Sequence, residues 1–282
     1  MANRVDDMHE GIKHTANEVD DTANKVHSTA NKVDNIHKIL SKLRGSGTML
    51  GPNTLARQEM PLKPEIFHGR DDLVEGIAQL LLREKTSRVC LLCPGGMGKT
   101  SVSLAVVESP LIKQRFPGRN CVWVPCIEAT SATLLEILYA QLQVPGDKQV
   151  TLEKIISELD AEKEPRLILL DNFETPWNAP GGAQKQVSDI LRKLAMLGHT
   201  AILVTMRGTY PPCDAIEWQS HTIQPTDEVA CRHIFYDINS NSKDDLDADR
   251  LLAVLGHMPF AVTLMANLGK RGKSTANELL EM

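Results

Sequence analysis

Beyond residue 64 the chain alternates short apolar runs with longer stretches whose apolar residues recur at helical spacing. Residues 87–92 (SRVCLL), 121–126 (CVWVPC), 166–170 (RLILL) and 201–205 (AILVT) are apolar runs of strand length, and 220–224 is a shorter fifth candidate. Pro125 falls near the end of the second run without displacing that reading. Residues 99–108, 133–142, 152–159 and 184–196 read as helices between them. Strands that are apolar on both faces and separated by helices predict the α/β class, a parallel sheet covered on both sides. After Pro225 the pattern turns helical, over 227–236, 247–255 and 259–268.

Residues 1–44 follow a different rule. Val5, Ile12, Val19, Val26, Val33 and Leu40 recur every seven residues. Met8, Ile36 and Leu43 fill the companion apolar position, which Thr15, Thr22 and Thr29 take in the middle. The triplet Thr-Ala-Asn repeats at 15–17, 22–24 and 29–31, an internal heptad repeat. Such a stripe supports a left-handed coiled coil, weakened by its threonines. Two readings stay open: a solvated amphipathic spacer helix, or a self-association device. Gly45, Gly47, Gly51, Pro52 and Pro61 mark residues 45–63 as a linker.

Composition narrows the partners. The chain is 42% hydrophobic and 24% charged with a net charge of −5, which favours neither nucleic acid nor an anionic membrane as a partner. No apolar run approaches the roughly 20 residues of a membrane span. The N-terminus is polar and repetitive rather than signal-like, so the six cysteines read as reduced thiols of a cytoplasmic protein. Cys90 and Cys93 form a C-x-x-C, but no second pair follows at zinc-ligand spacing.

The chemistry concentrates between the first strand and its helix. Residues 94–101 read PGGMGKTS, the strand–loop–helix context of a phosphate-binding loop. Pro94, Gly95, Gly96, Met97, Gly98, Lys99, Thr100 and Ser101 are its candidate residues. The glycines let backbone N–H groups converge on phosphate oxygens, and the helix N-terminus adds partial positive charge. Lys99 is assigned to the β- and γ-phosphates, and Thr100 to Mg²⁺. Cys93 stands where the motif has its first glycine; a positive φ there would cost about 1 kcal/mol. Asp171 ends the third apolar strand and is the second candidate Mg²⁺ ligand. Asn172 is a poor base, which leaves Glu174 as the nearest candidate to activate water, against the alternative of a solvated loop acid. Arg207 ends the fourth strand, where ligand groups gather, and is a candidate γ-phosphate sensor. Arg70, in His68-Gly69-Arg70, either edges the base or ribose or forms a simple helix-entry turn. Gly272-Lys273-Ser274 has no strand before it and reads as an exposed basic turn.

Several stretches together resemble the NB-ARC-type nucleotide-binding domain of the signal-transduction ATPases with numerous domains (STAND). They are residues 67–70 (FHGR), 94–101, 167–174 (LILLDNFE), 202–207 (ILVTMR) and 255–261 (LGHMPFA). The string 171–177 (DNFETPW) is similar to fungal, NLR-like members. The resemblance covers about residues 64–282. It implies a five-stranded parallel sheet in the order 5-1-4-3-2, a nucleotide-binding domain over 64–225 and a helical lid over 226–282. It also implies that Pro259 lies against adenine. Such proteins rest with ADP, open on exchange for ATP, assemble into rings and hydrolyse slowly. A full member continues into a winged helix, so a chain ending at Met282 is expected to be a fragment, a truncated product or a stand-alone adaptor.

The leading expectation is an ATP/ADP-binding signalling switch with Mg²⁺, able to form homo-oligomers through the nucleotide-binding domain and the N-terminal helix. The alternatives are an active AAA+-like ATPase, and a coiled-coil scaffold whose nucleotide site is structural.

Overall fold

The computed structural model describes residues 57–83, 87–144, 151–180, 182–242 and 245–281, all within the compact unit Pro52–Met282. The heptad segment and the linker up to residue 56 lie outside the described residues.

Five strands form one sheet in the order β2-β3-β4-β1-β5, every neighbouring pair parallel. They are β1 (Arg88–Leu92), β2 (Cys121–Pro125), β3 (Arg166–Asp171), β4 (Thr200–Met206) and β5 (Gln219–Thr222). This is the predicted order read from the other edge, with β4 between the strand that feeds the glycine loop and the strand that ends in Asp171. Every residue of β3 and β4 is buried, which is why these runs are apolar without alternation. Pro125 is tolerated because β2 pairs only with β3, and the sheet edge needs no donor there.

Strand periodicity divides the core by residue parity. Leu92, Val124, Ile168, Leu170 and Val204 point to one face. There α4 (Ser131–Leu142), α5 (Leu152–Ala161) and α7 (Ala183–Ala195) cover them through Leu134, Leu138, Ile155 and Leu191. Leu91, Leu167, Leu169 and Leu203 point to the other. There α1 (Asp71–Leu81), α2 (Lys99–Glu108) and α3 (Pro110–Arg115) contribute Ile77, Val102, Val106 and Ile112. A third core joins α8 (Glu228–Ile238), α9 (Ala248–Val254), α10 (Pro259–Gly272) and α11 (Ala276–Leu280) around Phe235, Leu252 and Val262.

Local chemistry sets the helix starts. Thr130 and Thr133 form a reciprocal cap on α4, and Asp227 accepts from Ala230 N–H at the start of α8. Three short helices have no counterpart in the periodicity: α3, α11 and α6 (Glu174–Trp177). Their apolar stripes are too short to register, although Ser109-Pro110 and the Thr275–Glu278 capping box signal the first two. Lys273 occupies the left-handed region at φ 52 as the cap of α10, consistent with the exposed basic turn. Among the described residues no helix is long and apolar enough to cross a membrane.

Candidate functional site

The carboxyl ends of β1, β3 and β4 bring the predicted residues together. Pro94 to Gly98 form the loop between β1 and α2, and Gly96 (φ 83) and Gly98 (φ 86) adopt left-handed conformations that favour glycine. Cys93 is not among the positive-φ residues, so the expected strain at the missing glycine does not arise. None of the backbone N–H groups from Gly95 to Ser101 donates to a protein acceptor among the described residues. A run of unpaired amides opening a helix is an anion cradle. Met97 contributes only its backbone, since its side chain is buried in the core with Val102.

Lys99 is only 7% exposed. Its ammonium donates to the carbonyls of Cys93 (2.8 Å) and Pro94 (3.0 Å) and lies 3.6 Å from the Cys93 thiol. The charge is therefore folded back beneath its own loop, within reach of the cradle. Burial raises the pKa of Cys93, with Lys99 pulling it down in part. Burial pushes Cys90 up to about 12. Both thiols are free.

Asp171 is 3% exposed and anchored from two sides. Thr100 Oγ1 donates to its oxygens at 2.8 and 3.1 Å, and Thr205 Oγ1 donates at 2.5 Å. The Thr205 hydroxyl also accepts from Asn172 N–H (3.0 Å). Asn172 sits at φ 57, a conformation that asparagine tolerates better than most residues. Burial raises the Asp171 pKa; the two threonine hydroxyls oppose that, and the Glu174 charge adds to it. The Trp123 indole N–H finds no partner within hydrogen-bonding geometry, yet faces the same carboxylate closely enough to lower its pKa. Thr205 had no sequence signal of its own. Its role comes from β4 lying beside β3.

Glu174 and Arg207 meet each other. Glu174 accepts from the Arg207 main-chain N–H (3.1 Å) through one oxygen and faces Arg207 Nε (3.2 Å) through the other. The Arg207 guanidinium lies over Gly95, 3.4 Å from where a Cβ would stand. The solvated-acid reading of Glu174 is thereby replaced: its side chain is 15% exposed and paired.

Arg70 takes the helix-entry position, one of the two readings expected of it. It is the N-cap residue of α1, and it donates to the Gln224 carbonyl at 2.6 Å. Burial lowers its pKa, while Cys93, Cys231 and Asp227 act in the other direction. Beside it, Gly69 (φ 68) approaches α8 so closely that a Cβ would lie 2.5 Å from Ala230 Cβ. Pro259 opens α10, and the next residue, Phe260, donates its N–H to the Gly96 carbonyl at 3.1 Å. Met258 and Phe260 thus lie against the loop, contacts that motif reading did not anticipate.

A hydroxyl and a carboxylate are hard oxygen donors suited to Mg²⁺, which usually takes its other ligands from phosphates and water. Among the described residues, no three His, Cys, Asp or Glu side chains gather as a metal-binding group.

No family model and no curated protein matches the sequence. Solved structures do match the fold. A Walker-type ATPase of Pyrococcus abyssi superposes with a TM-score of 0.56 at 12% identity, over 81% of this chain and 73% of that one. The sheet order, the loop between β1 and α2 and this likeness together give the chain the P-loop NTPase fold.

Proposed function

We propose that this chain is a nucleotide-dependent switch of the STAND type, binding ATP or ADP with Mg²⁺ and hydrolysing slowly. The observation that carries the reading is the run of N–H groups from Gly95 to Ser101, without a protein acceptor among the described residues, beside the Lys99 ammonium and the Thr100–Asp171 pair. In this reading Lys99 leaves the Cys93 and Pro94 carbonyls for the β- and γ-phosphates. Thr100 and Asp171 hold the metal, which supplies charge neutralisation when bound. Arg207 senses the γ-phosphate and Glu174 orients water. Arg70 and Pro259 flank the base and sugar.

Residues 64–225 act as the nucleotide-binding domain and 226–282 as its lid, with 45–63 linking them to the heptad segment. That segment and the nucleotide-binding domain provide the surfaces for homo-oligomers, and the setting is cytoplasmic. The Glu174–Arg207 pairing favours a switch over a fast ATPase, because both groups expected to act on the γ-phosphate are engaged with one another.

The test is mantATP binding with Mg²⁺ by wild type and Lys99→Ala. Loss of a charge-assisted phosphate contact removes about 1.5–3 kcal/mol, a weakening of roughly ten- to a hundredfold. Equal affinities refute the assignment.

A further inference from the structure

Trp123 lies in β2 opposite Leu169 of β3, and the same pairing sets Pro125 opposite Asp171. Residues two apart along a strand share a face, so Trp123, Leu169 and Asp171 are on one side of the sheet. Trp123 packs there against the core that holds Leu169 and Val102. A residue two positions along the neighbouring strand is within reach of an aromatic side chain, and the residue so placed is Asp171. Thr100 comes to the same carboxylate from α2, the helix over that face.

The indole carries a donor and no acceptor. Its nitrogen is buried and has no partner within hydrogen-bonding geometry, and buried donors are rarely left that way. The carboxylate it faces has capacity to spare. An ionised carboxylate offers about four lone-pair sites. On Asp171, Thr205 takes Oδ1, and Thr100 spans both oxygens with its single hydrogen. Burial raises the Asp171 pKa, and the Trp123 N–H is among the groups that oppose the rise. A hydroxyl whose oxygen ligates a metal has its one hydrogen fixed in direction, so Thr100 could not span both oxygens while serving Mg²⁺.

We propose that Trp123 is a positioning residue of the Mg²⁺ site, its indole N–H becoming a donor to the Asp171 carboxylate when Thr100 turns to the metal. The inference rests on the nucleotide-binding reading and adds a residue to its metal site. Strands β2 and β4 flank β3, so Trp123 and Thr205 then hold the carboxylate from both neighbouring strands. Donors of this kind orient a ligating carboxylate without touching the metal.

Trp123→Phe keeps an apolar ring on that face and deletes the N–H. The readout is mantADP affinity in EDTA and in Mg²⁺, whose ratio measures the metal's contribution. Trp123→Phe should match wild type in EDTA, while its gain from Mg²⁺ falls about fivefold or more, the net worth of one hydrogen bond. An unchanged ratio, or equal losses with and without Mg²⁺, overturns the positioning role and leaves nucleotide binding intact. A wild type that does not bind, or binds without regard to Mg²⁺, sinks the underlying reading instead. If Trp123→Phe lacks native circular dichroism, the indole signals of ¹⁵N-tryptophan-labelled wild type decide. The chain has three tryptophans, and Trp177→Phe and Trp218→Phe identify the signal of Trp123 by elimination. That signal should move downfield and exchange more slowly with ADP and Mg²⁺ than with ADP and EDTA; no difference between the two overturns the proposal.

Discussion

Thr205 is the residue on which the acidic end of β3 depends, and replacing it with valine tests that dependence with little change of shape. Its side chain is fully buried in β4. The hydroxyl donates to Asp171 and accepts from Asn172 N–H. Thr205→Val removes both bonds: a charge-assisted one of about 1.5–3 kcal/mol and the partner of an amide whose orphaning costs about 1–3 kcal/mol. The extra methyl recovers part of this, leaving a net loss of roughly 2–4 kcal/mol. For a folded unit of about 150–250 residues, that lowers Tm by on the order of 5–12 °C. The loss should also depend on pH. Burial holds the folded pKa of Asp171 above its ordinary value of 3.8, and the Thr205 hydroxyl partly offsets that rise. A raised carboxyl pKa contributes stability that is present below 3.8 and lost as pH climbs through the folded value. Without the hydroxyl the folded value rises further, so the gap between wild type and Thr205→Val should be smallest in acid and widen toward neutrality. Urea melts from pH 4 to 8, with Thr205→Ser as the hydroxyl-bearing control, give the measurement. A gap that is flat with pH, or Thr205→Ser as unstable as Thr205→Val, would refute the reasoning.

Two further outcomes follow from the same contacts. Asp171→Asn removes a charge that burial disfavours. The nucleotide-free protein should therefore gain stability at pH 7, the gain shrinking in acid, while Mg²⁺-dependent mantATP binding is lost; calorimetric melts showing no gain at pH 7 would contradict this. Gly69→Ala places a Cβ 2.5 Å from Ala230 Cβ at φ 68. Left-handed strain and overpacking together should cost about 2–4 kcal/mol in urea unfolding, and a change within about 0.5 kcal/mol would show that α8 yields easily.

The parts of this site that were legible in the sequence are the parts fixed by short-range spacing. Lys99 and Thr100 follow Gly98 directly, and Asp171 closes an apolar run, so chain order alone locates them. The strand order was legible through the family resemblance, and the sheet carries that order. What escaped is fixed by register between distant segments. Thr205 reaches Asp171 because β4 runs beside β3, with Leu170 opposite Val204. Gly69 is a glycine because of Ala230 and Asp227, more than 150 positions away, and Gly96 because of Met258 and Phe260. Nothing in a local window distinguishes these glycines from turn glycines. The short helices are a different kind of omission. Ser109 caps α3 with Pro110 in its first turn, and Thr275 and Glu278 box the start of α11. Both are readable signals in segments too brief for periodicity.

The Glu174–Arg207 pair bears on which of the expected behaviours the site favours. Arg207 lies across Gly95, against the phosphate loop, and it is held there by Glu174 at the start of α6. For Arg207 to grip a γ-phosphate and Glu174 to orient a water, the two must part. Arg207 is 37% exposed and Glu174 15% exposed, so the ion pair sits between a solvent-screened contact of about 0–1 kcal/mol and a buried one. In the proposed reading, the charge of a triphosphate would compete for the same guanidinium and open such a lock. In that reading the observed pairing is the default arrangement when no γ-phosphate is present. A site built for rapid turnover gains nothing from that default. One built to distinguish three phosphates from two gains its signal from it, because parting the pair frees a carboxylate beside Asp171, whose own ionisation the Glu174 charge already opposes.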